Sequence, residues 1–213
     1  MPAIFSTSDR DAMRRRMIEA GWACLLERGY RGTRVEDITR QAGIAQGTFY
    51  GFFSSKAEFV AEMVAENRRE LLSRLGGMLG ESGEAPGRDE LGRWMREVWH
   101  SDRSIFRCIG MRDYRRIREL LPDDLVLGPE LEGGALERIA RSVRARGASS
   151  DPRLAAALQR VCAIMLLERE EIDPDVLERA VDALVEDTLD ALYGPAGRPV
   201  ARDAGWPFSP SCS

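Results

Sequence analysis

The sequence has little of the chemistry on which most enzymes depend. Its 213 residues include a single histidine, His100, and four cysteines that lie far apart and form no C-x-x-C pair. Neither a disulfide framework nor a zinc site is therefore predicted. No G-x-S-x-G, Walker-type or strand-linked G-x-G-x-x-G motif occurs either. These absences argue against an enzyme, and we expect neither a cofactor nor a metal.

Long apolar runs are also missing. No segment approaches the ~20 apolar residues that a membrane-spanning helix needs. The first residues lack the basic start and the apolar stretch of a signal peptide. We therefore expect a cytoplasmic protein without a membrane partner. Cys108 and Cys162 have apolar neighbours, which favours buried, inert thiols over redox sensors.

The most informative stretch, residues 29 to 56, reads GYRGTRVEDITRQAGIAQGTFYGFFSSK. Its first half predicts a short helix, because apolar residues recur at helical spacing after Thr33, a suitable N-cap. Gly43 then stands where a helix needs a left-handed residue to end. The apolar positions of this helix are Val35, Ile38 and Ala42.

A second short helix is predicted over about residues 46 to 52. Phe49 and Phe52 are three residues apart, so they share a face that should contact the core. After this helix, Ser54 and Ser55 supply a fresh N-cap, and Lys56 begins a longer helix whose N-terminus suits a phosphate. The surface left for a ligand comprises Gln46, Gly47, Thr48 and Tyr50.

The run from Gly29 to Lys56, with the helix before it, closely resembles the TetR family of bacterial transcriptional regulators. Arg-Gly-Tyr, Thr-x-Val-x-Asp-Ile, Ala-Gly-Ile, Gly-Thr-Phe-Tyr and Phe-x-Ser-Lys follow in the family's order and spacing over roughly residues 10 to 70. The family often has Ser-Lys or Ser-Arg before Gly-Thr and a histidine after the tyrosine. Here these places hold Ala45, Gln46 and Gly51.

The resemblance implies an all-α fold with two units. Residues 10–70 would form a three-helix helix-turn-helix DNA-binding unit, and a long helix would join it to a helical effector-binding and dimerisation domain over 71–193. Residues 194–213 are rich in Pro, Gly and Ser, which predicts a disordered tail.

The resemblance also implies that two protomers bind a double-stranded DNA operator, with recognition helices ~34 Å apart in successive major grooves. Gln46 and Thr48 are then expected at base edges, where Gln46 can address both N6 and N7 of an adenine. Gly47 would allow a close approach. The expected phosphate contacts are Thr33, Arg34, Tyr50 and Lys56, although Thr33 can also be a plain N-cap and Tyr50 a core residue.

The net charge of −4 is unevenly distributed along the chain. Residues 1–60 hold nine basic and seven acidic side chains, whereas the rest holds 22 basic and 28 acidic ones. A positive bias at Arg10 and at Arg14 to Arg16 can steer phosphates. The same arginines could instead form a solvated helix face.

The remaining sequence is helical in pattern and has no convincing period-two strands. Asp151-Pro152 and Asp173-Pro174 each place an N-cap acid before a first-turn proline. We predict helices over residues 56–79, 88–100, 104–121, 129–146, 151–168 and 173–193.

The last two predicted helices carry apolar stripes that suit a four-helix bundle across a two-fold axis, and the resemblance implies such a homodimer. Packing of both stripes within one protomer is the alternative. The stripes comprise Leu154, Leu158, Val161 and Met165 on one helix, and Leu177, Ala180, Val181, Leu184 and Leu192 on the other.

An unknown small-molecule effector is expected among the central helices, again by resemblance. Aromatic residues and methionine line pockets for apolar ligands, but they are equally suited to a plain core. The candidates are Trp94, Val98, Trp99, Met111 and Tyr114. A group of nearby arginines could meet an anionic effector or form a solvated face: Arg112, Arg115, Arg116 and Arg118.

The predicted function is therefore a sequence-specific DNA-binding transcriptional regulator, a repressor that an effector releases from a palindromic operator. The alternative is a helical interaction module whose helix-turn-helix packs against another protein. A steep fall in duplex affinity with salt would favour the regulator.

Overall fold

The computed structural model describes residues 7–79, 84–122, 125, 129–145 and 150–195. Within these ranges the fold is all-α, as predicted, and a short 3-10 turn covers Arg169–Glu171. No helix in the described ranges is long and apolar enough to span a bilayer. The helices are α1 (Thr7–Gly32), α2 (Val35–Ala42), α3 (Gln46–Tyr50), α4 (Lys56–Met78), α5 (Arg88–His100), α6 (Ile105–Cys108), α7 (Met111–Arg118), α8 (Pro129–Ala145), α9 (Pro152–Leu167) and α10 (Pro174–Tyr193).

The first four helices pack around a close contact between α1 and α4. A Cβ atom placed on Gly21 would lie 2.6 Å from Met63 Sδ and 2.7 Å from the Phe59 ring. Both of these α4 side chains are fully buried, so they have little room to move. Gly21 therefore sets the distance between the two helices on which α2 and α3 rest.

Helix α1 changes direction near its end. Gly29 has φ 65°, a left-handed conformation that interrupts the helical dihedrals, and its carbonyl accepts a hydrogen bond from Thr33 N at 3.2 Å. A second left-handed glycine, Gly43, ends α2 as the sequence predicts. These two glycines bound the segment that turns α2 back against α1.

The prediction of one helix over residues 104 to 121 is wrong, because the chain breaks between α6 and α7. Ile109 is extended, with φ −137° and ψ 159°, and Gly110 is the N-cap of α7. Arg169 supports the break, since its Nη1 lies 3.3 Å from Phe106 O and 2.9 Å from Ile109 O. A guanidinium group thus satisfies carbonyls that the break leaves without helical partners.

The last two helices begin where the Asp-Pro pairs predict. Asp151 and Asp173 each accept hydrogen bonds from two backbone N–H groups of the first turn. Their stripes differ in exposure. Leu177, Val181 and Leu192 of α10 are buried within the protomer, whereas Leu154 and Val161 of α9 are 49% and 50% exposed. The stripe predicted on α10 therefore belongs mainly to the core.

Charged side chains join α5 to α10 along their lengths. Arg88 Nη2 lies 2.6 Å from Asp190 Oδ1, and Arg96 pairs with Glu186. One turn further along, the imidazole of His100 lies between Glu178 and Asp182, with N–O distances of 2.8 and 2.9 Å. Basic residues of α5 and acidic residues of α10 thus recur at helical spacing along the contact between the two helices. Their pairing fixes the position of α5 along α10. The only histidine serves this contact.

One helix, α4, belongs both to the DNA-binding unit expected over residues 10–70 and to the part of the protein that follows it. Helix α4 runs from Lys56 to Met78 without a break, across the boundary expected at residue 70. Two ion pairs hold the later helices to α1: Arg31 Nε to Asp113 Oδ2 at 2.8 Å, and Arg103 Nη2 to Glu19 Oε2 at 2.6 Å. The tail expected from residue 194 lies, beyond residue 195, outside the described residues.

Gly21→Ala should lower the free energy of unfolding by about 1–3 kcal/mol, because the added methyl group overpacks the α1–α4 contact. Chemical denaturation followed by circular dichroism measures this change. Gly76→Ala is the matched control, since a Cβ at this exposed position of α4 meets nothing within 4 Å. It should be neutral or stabilising by up to about 1 kcal/mol. Equal effects of the two substitutions would contradict the packing.

Candidate nucleic-acid interface

Helix α3 is held in place by one aromatic side chain. Helix α3 has only five residues, and the fourth of them, Phe49, is 0% exposed. The Phe49 ring centroid lies 5.5 Å from that of Phe53 and 5.2 Å from that of Phe59, while Phe53 and Phe59 are 4.9 Å apart. Phe52 is half-buried, with the Arg10 guanidinium 4.6 Å from its ring centroid. The predicted core face is therefore the inner face of α3.

The opposite face of α3 is open. Gln46, Gly47 and Tyr50 are exposed, and Thr48 is half-buried. A Cβ on Gly47 would meet nothing within 4 Å, so space remains there for a ligand. Tyr50 is 52% exposed and touches Phe49 only edge-on, with interplanar angle 86°. The structure thus brings the predicted surface residues of this helix together and excludes a buried position for Tyr50.

Thr33 differs from its predicted role as the N-cap of α2. Its side chain is 1% exposed, and its hydroxyl lies 2.9 Å from Cys24 O and 2.8 Å from Gly29 O, to which it can donate. The hydroxyl therefore ties α2 to the end of α1 and points away from solvent. The N-cap is the exposed Arg34, whose N–H donates to Asp37 Oδ2 at 3.1 Å. This hydrogen bond holds the pKa of Asp37 below its usual range.

Lys56 also lies differently from the prediction of a phosphate contact. Its ammonium donates to Tyr30 O at 2.7 Å and to Thr33 O at 2.8 Å, and it lies 4.2 Å from the centroid of the Tyr30 ring. Burial lowers the pKa of Lys56. The carbonyls at the end of α1 need a donor after the break at Gly29, and Lys56 supplies it. This lysine therefore clamps α4 to the end of α1.

The start of α4 has the serine cap that the sequence predicts. Ser55 Oγ accepts a hydrogen bond from Glu58 N at 3.1 Å. Glu58 in turn accepts from Ser54 N at 2.8 Å and from the Ser54 hydroxyl. The Ser54 hydroxyl is the main cause of the lowered pKa of Glu58.

In the arginine run of α1, Arg14 pairs with two glutamates of α4, whereas Arg15 and Arg16 are exposed.

A cavity of about 360 Å³ lies deeper in the protein, between α4, α5, α8 and α9. Of the five candidate pocket residues, Trp94, Val98 and Trp99 line this cavity, whereas Met111 and Tyr114 do not. The break before α7 explains this, because it turns α7 against α4, where the Tyr114 hydroxyl lies 3.3 Å from Arg68 Nη2.

Sequence reasoning missed the polar residues of the cavity wall, among them Arg68 and Gln159. Arg68, 5% exposed, donates to Leu125 O at 2.6 Å, and Gln159 Oε1 accepts from Trp99 Nε1 at 2.7 Å. Arg68 lies at helical spacing between Val64 and Leu72 on the apolar face of α4, and a charge on such a face could have indicated it. Gln159 gave no comparable signal.

The buried thiols have no sign of reactivity. Burial raises the pKa of Cys108 to about 11 and that of Cys162 to about 12. At neutral pH both are therefore protonated, and the thiolate required for redox chemistry is scarce. This agrees with the inert thiols expected from their neighbours.

The N-terminal geometry is that of a helix-turn-helix, and comparison with known proteins gives the same class. Residues 17–63 match the family model of bacterial regulatory proteins, tetR family. The HTH-type transcriptional repressor DhaR of Mycobacterium sp. strain GP1 is 34% identical over 79 residues, which are 37% of this chain and 40% of that protein. The chain thus aligns with less than half of this relative's length.

Two solved structures share the fold over most of the chain. The regulator FadR from Bacillus subtilis, in complex with stearoyl-CoA, has a TM-score of 0.55 at 18% identity, covering 85% of this chain and 99% of its own. The fatty acid degradation regulator FadR from Bacillus halodurans has a TM-score of 0.54 at 19% identity, covering 81% and 93%. At these identities the likeness shows the fold alone.

The fold and the open face of α3 define an all-α helix-turn-helix protein with a larger helical body. Over residues 17–63 the chain matches the tetR family model, and its N-terminal part resembles that of the repressor DhaR.

Lys56→Met should lower the free energy of unfolding by roughly 1–3 kcal/mol, because two carbonyls at the end of α1 lose their donor. Urea denaturation measures the change. Arg15→Met, on an exposed position of α1, should stay within about 0.5 kcal/mol of the wild type. If Lys56→Met proved as stable as the wild type while DNA binding fell, Lys56 would act at phosphate and not as a clamp.

Proposed function

We propose that the protein is a transcriptional repressor that binds a palindromic DNA operator as a homodimer and is released from it by a small-molecule effector. The observation that carries this proposal is the open face of α3, held rigid by the buried Phe49. A short helix fixed in this way can enter a major groove without losing its shape.

In this proposal, some residues of α3 and α2 contact bases of the DNA and others contact its phosphates. Gln46 and Thr48 project from α3 towards base edges, and the amide of Gln46 can pair with both N6 and N7 of an adenine. Arg34 and Tyr50 are exposed and suit phosphates, which fix register but carry no sequence information. Gly47 allows the backbone of α3 to approach the duplex.

Thr33 and Lys56 support this surface indirectly. Their hydrogen bonds hold α2 and α4 against the end of α1. Thr33 and Lys56 therefore position Arg34 and α3, and their polar groups are engaged within the protein instead of at a phosphate.

The dimer interface we propose is the outer face of α9, with the neighbouring face of α10. Leu154, Val161 and Ile164 follow at helical spacing on α9 and are 49%, 50% and 46% exposed. Val176 at the start of α10 is 50% exposed. An exposed apolar stripe on α9, next to Val176 of α10, suits a four-helix bundle across a two-fold axis.

The effector site we propose is the cavity beside α5. Its wall is mostly apolar, with Trp94, Val98, Leu136 and Ile139 among the lining residues, so an apolar molecule fits it best. The FadR structure from Bacillus subtilis holds stearoyl-CoA, which makes an acyl chain a reasonable first probe.

A chain of hydrogen bonds leads from the cavity to the proposed dimer helices. Trp99 Nε1 donates to Gln159, Gln159 Nε2 donates to Thr188 Oγ1 at 2.8 Å, and the Thr188 hydroxyl donates to Leu184 O at 2.7 Å. A ligand that displaces Trp99 would change the contacts of α9 with α10. It can shift the operator affinity only by binding one dimer state more tightly than the other.

Gln46→Ala should reduce the preference for the operator over a scrambled duplex by about 1–3 kcal/mol, because a bidentate base contact is lost. Arg34→Ala should weaken both duplexes alike and lower the slope of log affinity against log salt by about 1. Binding titrations at several salt concentrations measure both effects. The reverse pattern would refute these roles, and salt-independent binding to a protein would favour the interaction module.

Val161→Lys should convert the dimer to a monomer at micromolar concentration, because a charge replaces an apolar contact at the interface. Sedimentation velocity measures the state. Leu26→Lys is the matched control, since Leu26 of α1 is 48% exposed and lies outside the proposed interface. It should leave the dimer intact. A wild type that sediments as a monomer would contradict the homodimer.

Stearoyl-CoA should weaken operator binding by the wild type, whereas Ala135→Phe should bind the operator normally and lose this response. Ala135 is buried in the cavity wall, so the larger ring would fill space that the ligand needs. Calorimetry for the ligand and a titration for the operator provide the two readouts. Ligand binding without any change in operator affinity would contradict the effector model.

A further inference from the structure

Helix α7 presents a row of exposed arginines. Arg112, Arg115, Arg116 and Arg118 are all exposed. Within the described residues no carboxylate forms an ion pair with any of them, although many other arginines of the protein, such as Arg14, are paired. The acidic residue in the first turn of α7, Asp113, forms an ion pair with Arg31.

This arrangement opposes the stability of α7 itself. Arg112 and Arg116 are four residues apart, and Arg115 and Arg118 are three apart, so like charges face each other along the helix. The helix dipole favours the arginines of the last turn but disfavours Arg112, which lies in the first turn. An anionic partner on this face would relieve the repulsion.

The arginine face adjoins the DNA-binding segment. The pair between Asp113 and Arg31 places α7 beside the end of α1, two residues before Thr33. The charge of Arg116 acts on Tyr30, where it opposes the rise in the pKa of Tyr30 that burial causes. Tyr30 in turn holds Lys56 at the start of α4. The arginine face of α7 therefore lies next to the residues that hold α2 and α4 against the end of α1.

The shape of the face favours a polyanion over a small anion. Residues 112 to 118 extend over about 9 Å of helix, at ~1.5 Å per residue. The four side chains are exposed, and none of them lines the cavity beside α5. Phosphates spaced along a duplex match such a row, whereas a single effector anion would need an enclosed site.

We propose that the arginine face of α7 is a second DNA-contact surface, which binds backbone phosphates of the duplex outside the bases that α3 reads. This inference rests on the proposed function. The contact is independent of sequence, so it adds affinity for operator and unrelated duplexes alike. The larger helical body then takes part in DNA binding directly, besides its proposed role as sensor.

The test compares two variants that remove the same charge. Arg112→Gln/Arg116→Gln changes the arginine face, whereas Arg138→Gln/Arg141→Gln changes two exposed arginines of α8. Dissociation constants for an operator duplex and for a scrambled duplex are measured between roughly 50 and 200 mM salt. Circular dichroism confirms that both variants are folded.

The α7 variant should lower the slope of log affinity against log salt by about 1–2 on both duplexes, since each lost phosphate contact contributes about 0.9. The α8 variant should keep the wild-type slope. An unchanged slope in the α7 variant, or an equal loss in both variants, overturns the inference. A wild type that binds both duplexes equally well refutes the proposed operator recognition instead, because the slopes are compared separately from that preference.

Discussion

The burial of Phe49 is the constraint on which the position of α3 and of its open face depends. A helix of five residues is far too short to be stable alone, because its nucleation costs more than its few hydrogen bonds return. The contacts of the Phe49 ring with Phe53 and Phe59 provide the stabilisation that the few backbone hydrogen bonds of α3 do not. Since Phe59 is held in turn by the close passage of α1 at Gly21, the position of α3 follows from the α1–α4 crossing.

The contact between α1 and α4 also links the open face of α3 to the rest of the protein. Helix α4 carries Phe59 near its start and, nine residues later, Arg68 of the cavity wall. The pairs Arg31–Asp113 and Arg103–Glu19 add direct contacts between α1 and the segment from α5 to α7. A structural change at the cavity can therefore be transmitted to α1 and α4 through these contacts. The ion pairs between α5 and α10 connect the cavity to the proposed dimer helices as well.

Much of this architecture could be predicted from the sequence, because local signals were strong. Glycine at position 43, serine at 55 and the two Asp-Pro pairs gave helix ends close to those observed. The three-residue spacing of Phe49 and Phe52 gave the core face of the short helix that includes α3. In these cases a short stretch of sequence contains the physical cause of the structure.

The features that sequence reasoning missed depend on distant residues. The α6–α7 break is supported by Arg169, sixty residues beyond Ile109, and it removes Met111 and Tyr114 from the cavity wall. Lys56 is drawn to the carbonyls of Tyr30 and Thr33 because α1 bends at Gly29. No local pattern around Lys56 distinguishes that clamp from a phosphate contact.

The most direct measurement for the central claim, that the open face of α3 reads DNA as part of a symmetric dimer, is selection from a random duplex library followed by sequencing. The account predicts enrichment of an inverted repeat whose half-sites are centred about one helical turn apart, or ~10 bp. Retained duplexes with no shared sequence, or with a single unrepeated site, would contradict it.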